Sequence, residues 1–347
     1  MTTSPFFIKP TPLQVVMLKV AAALIPGIAT YTYFFGVGVL VQIGLATVAA
    51  LATEAFCLRL RNYPIKPFVT DGSAIVTAWL MALSFPPLAP WWMITLAAIM
   101  SIALAKHMYG GLGQNTFNPA MVGFAIMIVS FPAQMSHWAA PLGLAPQSLD
   151  AAAQLQWIFT GHLPAGLNFD AVASATPLDT VKTQLMQHTN MLTILHEKLF
   201  GGIGGIGTEW ITAAYLLGGL YLLQQKLIPW IVPVTFLAVL GGMAGIFWLV
   251  DPQHYTSPLF HWFSGAAMLG AFFIVTDPVT SPTTPLGRMI FAGLIGLLTY
   301  LIRVFGGYPD GVAFAVLILN LAAPFIDQYT QPSVFGHKNR KKAGAKA

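Results

Sequence analysis

The chain has 347 residues, of which 56% are hydrophobic and only 8% are charged. A soluble domain usually carries about 25% charged residues, so this composition excludes a mostly water-exposed surface and indicates a protein that lies in the lipid bilayer. The net charge of +5 is concentrated in a basic C-terminal tail, which we interpret as a cytoplasmic end and not as a site for nucleic acid.

Ten apolar runs predict an all-α polytopic membrane protein with about ten transmembrane helices. The runs are Val15–Phe35, Val37–Leu58, Ser73–Phe85, Trp91–Ala105, Ala120–Pro132, Trp210–Gln224, Ile228–Val250, Phe260–Val275, Met289–Ile302 and Val312–Ile326. They divide the chain into a first membrane half at 1–132, a long loop at 133–208, a second membrane half at 209–329 and a basic tail at 330–347.

The positions of the basic residues predict how the chain is oriented. With the N-terminus in the cytoplasm, twelve basic residues fall in cytoplasmic loops and in the tail, and Lys106 is one of them. Three fall on the outer side: Lys182, Lys198 and Arg303. This bias agrees with the positive-inside rule, so we expect a bacterial inner-membrane protein with both termini cytoplasmic and with 133–208 in the periplasm.

Glu54 lies inside the second apolar run, one turn from its end. An intramembrane carboxylate is by default a functional hypothesis, here a proton or cation relay. The alternative is that Glu54 reaches towards Arg59 or Arg61 at the membrane surface, and we favour this interpretation because both cations follow closely in the sequence.

Two polar breaks interrupt the apolar helices at 110–119 and at 276–285. Irregular backbone at membrane depth needs partners, so these breaks are either cytoplasmic turns or a site for a neutral polar ligand. The candidate binding residues in the breaks are Asn115, Asn118, Thr276 and Asp277. A Gly-Gly pair at 110–111 and another at 306–307 each precede a similar apolar segment, which predicts an inverted repeat of five plus five helices.

The outer loop contains two patterns without a predicted role in chemistry. The segment 202–207 matches G-x-G-x-x-G, but it lacks the preceding strand and the later acidic residue of a dinucleotide site, so we expect a turn. Four histidines in the loop are widely spaced and predict no metal site: His137, His162, His188 and His196. We assign no catalytic residue and no metal ligand, and the single cysteine, Cys57, excludes an iron–sulfur cluster held by this chain alone.

A run of small residues in the same loop ends in Thr176-Pro177. Pro177 disfavours the helical region for the residue before it, so Thr176 is predicted to present its hydroxyl from extended backbone. The small neighbours leave space for a bulky group. From the residues alone we favour the interpretation of this segment as a plain loop.

Taken together, the stretches at 110–120, 170–178 and 276–284 resemble the D subunit of the Rnf electron-transport complex. They resemble more distantly the B subunit of the sodium-pumping NADH:quinone reductase. The resemblance covers nearly the whole chain and implies that FMN is attached through its phosphate to the hydroxyl of Thr176. The surrounding motif residues are Asp170, Ser174, Ala175, Pro177 and Leu178. Ala173 and Ser174 stand where serine and glycine are common in that family.

The resemblance also implies a second, non-covalent flavin, riboflavin, near the polar breaks. It further implies a flavin-carrying subunit of a redox-driven ion translocase that is not active alone. Electrons from ferredoxin or NADH would arrive through partner subunits and would be coupled to proton or sodium movement. Two alternatives remain open at this point: a secondary transporter of a small polar solute, supported by the broken helices, and a structural membrane anchor without a cofactor.

Overall fold

The structure, a computed structural model, describes residues 11–144, 149–164, 166 and 172–332. The predicted motif residue Asp170 lies outside the described residues, as does nearly all of the basic tail. Sixteen α-helices lie within the described ranges: α1 Leu13–Phe35, α2 Gly38–Leu60, α3 Ile65–Val69, α4 Ser73–Ala82, α5 Trp91–Met100, α6 Pro119–Ser130, α7 Pro132–Ser136, α8 Ala151–Thr160, α9 Pro177–Met186, α10 Met191–Leu195, α11 Thr208–Gln224, α12 Ile231–Val250, α13 Pro258–Phe263, α14 Ala267–Leu269, α15 Pro285–Phe305 and α16 Val312–Thr330. Two π-helical segments, Ser101–His107 and Gly270–Ile274, continue α5 and α14.

Among the described residues, five helices are long and apolar enough to cross a membrane, as a helical membrane protein requires. They are α1, α2, α12, α15 and α16. Each of the other five predicted runs overlaps shorter or interrupted helices: α4, α5 with its π segment, α6, α11, and α13 with α14. The helical class is therefore confirmed, while ten crossings remain a prediction.

Small residues allow the helices to approach closely. A Cβ atom added to Gly218 on α11 would lie 2.0 Å from the carbonyl oxygen of Ala23 on α1. On α15, a Cβ atom at Gly296 would lie 2.7 Å from the carbonyl oxygen of Phe236 on α12. Such backbone contact is characteristic of helix packing in membranes, where van der Waals contact between helices drives association.

The same neighbour relations occur twice along the chain. Helix α2 packs on α4 and α5, and α12 packs on the π segment after α14 and on α15. Helix α5 contacts α6, and α15 contacts α16. Across the two halves, α1 packs against α11 and α6 packs against α16.

The polar segment between α6 and α11 folds against the helices. Strands β1 (Trp138–Ala139) and β2 (Ala173–Ser174) pair antiparallel, with Trp138 opposite Ser174. On α8, Trp157 donates a hydrogen bond to the carbonyl of Leu88 (3.0 Å), and Gln154 accepts one from the backbone of Gly38 (2.8 Å). These bonds attach the segment to the α1–α2 turn and to the loop after α4.

A small apolar core attaches α9 and α10 to α13. Its buried members are Leu178, Val181, Met191, Ile194, Phe200 and Phe260. Burying these side chains away from water stabilises the position of α9 on the membrane half that follows it.

Two cations that the sequence predicts in loops are buried in the protein. Lys106 is 2% exposed and Arg303 is 4% exposed. Arg303 donates to Asp310 (Nε to Oδ1, 3.2 Å) and to the backbone carbonyls of His261 and Ser264. Their assignment to loops was wrong because both cations are paired inside the bundle; without them the basic residues still favour the predicted cytoplasmic side.

Candidate functional site

Thr176 is the residue immediately before α9. Its backbone is extended, with φ −69° and ψ 155°, and its hydroxyl oxygen accepts a hydrogen bond from the backbone N–H of Asp179 at 3.3 Å. A threonine that caps a helix in this way is favoured when proline occupies the first helical position, as Pro177 does here. The prediction of an extended Thr176 is confirmed, and its side chain is only partly buried.

Three contacts hold Thr176 in place. The β1–β2 pair is extended by a hydrogen bond from the Ala140 N–H to the Val172 carbonyl at 2.8 Å. Pro177 lies directly over Gly205, where an added Cβ atom would lie 2.1 Å from the proline ring. The Lys182 ammonium donates to the carbonyls of Gly306 and Tyr308, which fastens α9 to the turn between α15 and α16.

Burial changes the chemistry of Lys182. Removal from water lowers the pKa of its amine, and the nearby carboxylate of Asp179 opposes part of this shift. The two carbonyl oxygens replace water as hydrogen-bond acceptors for the ammonium, so Lys182 acts here as an anchor between two segments.

Thr176 lies on the wall of a cavity of about 360 Å³ that extends between the polar segment that joins α6 to α11 and the membrane helices. This volume falls within the range of about 300–1,000 Å³ that is typical of small-molecule sites. Apolar side chains from the helices form most of the wall: Phe35, Met121, Phe124, Ile128, Leu269 and Ile274. A few polar side chains interrupt it, among them Tyr31, Thr212, Tyr215 and Asp310.

The neighbours of Thr176 are placed unequally with respect to this cavity. Ala175, Pro177 and Leu178 line it together with Thr176. Ser174 lies in β2, donates its hydroxyl to the Ala175 carbonyl at 3.1 Å, and is not part of the wall. The sequence prediction therefore identified the side of the cavity formed by the loop, but not the side formed by α1, α6 and α11.

The two polar breaks meet in space. The backbone N–H of Asn118 donates to the side chain of Asn320 at 3.0 Å, and the Asn118 amide lies 3.5 Å from a carboxylate oxygen of Asp277. Asp277 also accepts from the Thr280 hydroxyl at 3.1 Å, and Asn320 donates to the Thr280 carbonyl at 3.2 Å. The irregular backbone thus has partners within the protein, as membrane depth requires.

The four predicted residues of the breaks share a second cavity of about 150 Å³. Asn115, Asn118, Thr276 and Asp277 line it, and so does Lys106. Asn115 donates to the Phe117 carbonyl at 3.0 Å, and the Thr276 hydroxyl donates to the Phe272 carbonyl at 2.8 Å. The side chains of the two breaks therefore converge on one cavity, and both interpretations of the breaks, cytoplasmic turns and a ligand site, stay predictions.

Helix α6 connects the two cavities. Asn118 caps its first turn by accepting from the Met121 N–H at 3.3 Å, and Ile128, near its last turn, lines the cavity beside Thr176. Met121, in the first turn of α6, also lines the larger cavity, so that cavity extends along the helix and begins close to the smaller one. The chain therefore has two neighbouring candidate sites that share one helix.

A buried charged cluster was missed by sequence reasoning. Lys106 donates to Glu54 and, at 2.8 Å, to the Ser73 hydroxyl. His107 lies 3.7 Å from the same Glu54 oxygen and 3.4 Å from Arg61. The expectation that Glu54 reaches towards Arg59 or Arg61 was wrong: Glu54 is 1% exposed and pairs with Lys106. The adjacent Lys106-His107 at the end of an apolar run was the available signal.

The prediction of a turn at 202–207 is confirmed. The glycine-rich segment at 202–207 is a turn, closed by a hydrogen bond from the Gly201 N–H to the Gly204 carbonyl at 2.7 Å. The four loop histidines are exposed. Among the described residues, no group of three or more His, Cys, Asp or Glu side chains could hold a metal ion.

Comparison with known proteins adds a second kind of observation. A family model described as "NQR2, RnfD, RnfE family" matches residues 1–336. A relative from Yersinia pseudotuberculosis serotype O:1b (strain IP 31758) is named as the D subunit of an ion-translocating oxidoreductase complex. The chain is 50% identical to it over 348 residues, with 98% of this chain and 99% of the relative covered.

Two further relatives have the same name. The protein of Escherichia fergusonii is 50% identical over 331 residues, covering 93% of this chain and 94% of the relative. The protein of Pectobacterium carotovorum is 46% identical over 344 residues, covering 97% and 98%. The similarity therefore extends over the membrane helices and the polar segment between α6 and α11 alike.

Proposed function

The chain belongs to the NQR2, RnfD, RnfE family, and from this premise we propose that it is the flavin-carrying membrane subunit of an ion-translocating oxidoreductase complex of the Rnf type. The observation that supports this most directly is the position of Thr176, whose partly exposed side chain lines a largely apolar cavity. Its relatives are named as subunits of such a complex.

The residues around Thr176 fit FMN attached by a phosphoester to the threonine oxygen. Ala175 is exposed and has no side chain beyond Cβ, so the phosphate can approach Oγ1. The phosphate would lie at the N-terminus of α9, a ten-residue helix whose first N–H groups and dipole favour negative charge. The apolar wall suits a planar aromatic ring. When bound, FMN supplies redox chemistry that the side chains at this site lack.

The chain's own part in this function is to bind and position. Thr176 anchors the flavin, while α1, α6 and α11 keep water away from its ring system. With one cysteine, the chain holds no iron–sulfur cluster by itself, so electrons from ferredoxin or NADH would reach it through other subunits of the complex. It would therefore not be active alone.

We propose that the non-covalent riboflavin binds at the polar breaks. The second cavity, at about 150 Å³, is smaller than the range of about 300–1,000 Å³ that is typical of small-molecule sites, so this flavin has to widen it. Asn115, Asn118, Thr276 and Asp277 present amide, hydroxyl and carboxylate groups there, which suit the polar edge of a flavin. Riboflavin has no phosphate, so it would be held in this cavity by non-covalent contacts alone. Flavin that dissociates from the Thr176→Ala protein in SDS would report this site, and Asp277→Ala should reduce its amount if the assignment holds.

We further propose ten crossings arranged as an inverted repeat, with both termini in the bacterial cytoplasm and 133–208 in the periplasm. The repeated neighbour relations support this. In the first half α2 contacts α5 and α5 contacts α6, and in the second half α12 contacts α15 and α15 contacts α16 in the same order. The two Gly-Gly turns also lie in different surroundings. The Gly306 carbonyl accepts a hydrogen bond from Lys182 on α9, whereas Asn118, in the break at 110–119, contacts the carboxylate of Asp277.

Covalent flavin on Thr176 is tested on a denaturing gel. We expect the wild-type chain, expressed with a flavin transferase, to give a band that fluoresces under ultraviolet light after denaturation in SDS. Thr176→Ala should be dark, because the accepting hydroxyl is gone. Thr183→Ala is the matched control, since it removes an exposed hydroxyl from the same helix, and its band should remain bright. A dark wild-type band, or a bright Thr176→Ala band, would refute the attachment.

A further inference from the structure

The hydroxyl of Tyr215 is a buried polar group without a partner among the described residues. Tyr215 lies on α11, is 5% exposed and lines the cavity beside Thr176. Its hydroxyl oxygen is fully buried and makes no hydrogen bond within the described ranges. Buried hydroxyl groups in proteins nearly always have a partner, so a group without one calls for an explanation.

The other buried polar side chains of the cavity are satisfied. The Tyr31 hydroxyl donates to the Phe85 carbonyl at 3.4 Å, the Thr212 hydroxyl to the Thr208 carbonyl at 2.7 Å, and the Ser84 hydroxyl to the Leu80 carbonyl at 2.9 Å. Within the part of the chain that the structure describes, Tyr215 is the one residue of the cavity wall with a fully buried, unpartnered side-chain polar atom.

Packing fixes the position of the Tyr215 ring. The ring lies against Gly27 on α1, where an added Cβ atom would lie 2.2 Å from Cε1, so the glycine provides the space for it. On another side, the ring of Phe273 contacts it edge-on, with 6.3 Å between centroids and 70° between planes. The ring is therefore held at one place in the wall, as a preorganised binding group must be.

We propose that the Tyr215 hydroxyl donates a hydrogen bond to a carbonyl oxygen or ring nitrogen of the flavin that occupies this cavity, and so positions the ring and sets its potential. This inference rests on the proposed attachment of FMN to Thr176. Two-electron reduction adds electron density to the nitrogens and oxygens of the ring. A fixed donor at such an atom stabilises the reduced form more than the oxidised form, and raises the midpoint potential.

The test is a reductive titration of the full-length chain in detergent, with dithionite as electron donor and flavin absorbance as the readout. Each trace is corrected with the Thr176→Ala protein, which lacks the covalent flavin but keeps any non-covalent one. Tyr215→Phe should shift the equilibrium between oxidised and reduced flavin by about tenfold towards the oxidised form. For a two-electron couple this lowers the midpoint potential by about 30 mV. Tyr31→Phe is the matched control, because its hydroxyl already has a protein partner, and it should give at most a third of that shift.

Stability provides an independent readout. The Tyr215 hydroxyl has no protein partner among the described residues, so Tyr215→Phe should not lower the unfolding temperature in the Thr176→Ala background, which lacks the covalent flavin. In the flavin-loaded chain the same change should lower it, and the difference between the two backgrounds isolates the hydroxyl–flavin interaction. This comparison also shows that the variant folds.

The outcomes separate the two proposals. A dark wild-type band in SDS would refute covalent flavin on Thr176. A bright Tyr215→Phe band with an unchanged potential would refute the role of Tyr215 alone. An equal shift in Tyr31→Phe would also refute it, because the effect would then belong to the cavity in general.

Discussion

Glu54, Lys106 and Ser73 form a buried charged group between α2, α4 and the π segment that continues α5. The side chains of Glu54 and Lys106 are 2% and 3% exposed, so neither charge is solvated by bulk water. The Lys106 ammonium donates hydrogen bonds to the Glu54 carboxylate and to the Ser73 hydroxyl. These bonds replace part of the hydration that both charged groups lose on burial. A buried ion pair of this kind adds little net stability to the folded protein. Removing only one partner, however, leaves an unpaired buried charge and destabilises the fold strongly.

We predict that Glu54→Gln lowers the free energy of unfolding by about 3–5 kcal/mol, because Lys106 remains buried without a carboxylate. Unfolding of the detergent-solubilised chain in SDS mixed micelles measures this change. The double variant Glu54→Gln/Lys106→Met is the control, since it removes both charges and should be more stable than the single variant. A single variant as stable as the wild type would show that Lys106 does not depend on Glu54.

At the scale of secondary-structure elements, one local pattern recurs at four helix starts. A residue with an amide or hydroxyl side chain is followed by proline, and its oxygen accepts from a backbone N–H of the first turn. These residues are Asn118, Thr176, Ser257 and Thr284. The pattern starts α6 at one candidate site and α9 at the other, so one side chain proposed to bind flavin at each site, Asn118 or Thr176, also begins a helix.

Helix α9 depends on Lys182 for its attachment to the α15–α16 turn. Lys182→Met removes two charge-assisted hydrogen bonds, each worth about 1.5–3 kcal/mol. We predict at least tenfold faster amide hydrogen exchange in α9, while covalent flavin on Thr176 is retained. Lys198→Met removes an exposed lysine of the same segment between α6 and α11, and it should leave exchange in α9 unchanged. Equal exchange in both variants would mean that the small apolar core around Leu178 holds α9 by itself.

At the scale of the whole molecule, one chain provides two separate cavities. The larger cavity lies between the membrane helices and the polar segment that joins α6 to α11, and the smaller one lies where the two polar breaks meet. Helix α6 borders both. This arrangement places two proposed flavins on one rigid element, which is consistent with a subunit that passes electrons between partners and does not itself bind their primary donors.

The proposed orientation can be tested by cysteine labelling. With Cys57→Ala as background, we predict that Met186→Cys reacts with a membrane-impermeant maleimide in spheroplasts, because α9 would face the periplasm. Gln224→Cys, at the end of α11, should react only in inverted membrane vesicles. Both positions are exposed, so access to the reagent depends on the side of the membrane. Labelling of Met186→Cys from the cytoplasmic side would contradict the proposed topology. It would also place Thr176 where a periplasmic partner could not reach it.

Several features of this protein were predictable from local sequence. The ten apolar runs coincide with helices or helical segments, since a stretch of apolar residues in lipid must satisfy its backbone internally. The extended conformation of Thr176 follows from Pro177, and the turn at 202–207 follows from its glycines. The resemblance in three short motifs was confirmed by the family match over residues 1–336.

Other features depend on helix packing. Asn118 and Asp277 are 159 residues apart, and Glu54 and Lys106 are 52 apart, so nothing in their local sequence indicates that they meet. The same is true of the cavity wall that α1 and α11 complete around Thr176.

The physical reason for this division is the range of the forces involved. Composition, proline geometry and capping act within a few residues of the chain, and they determined by themselves that this is a helical membrane protein with a threonine presented before α9. Which polar side chains share a cavity depends on how small residues such as Gly27 and Gly218 let helices approach, and on the need of every buried charge for a partner. Only the tertiary structure decided that Glu54 pairs with Lys106, and that the Tyr215 hydroxyl has no partner beside Thr176 among the described residues.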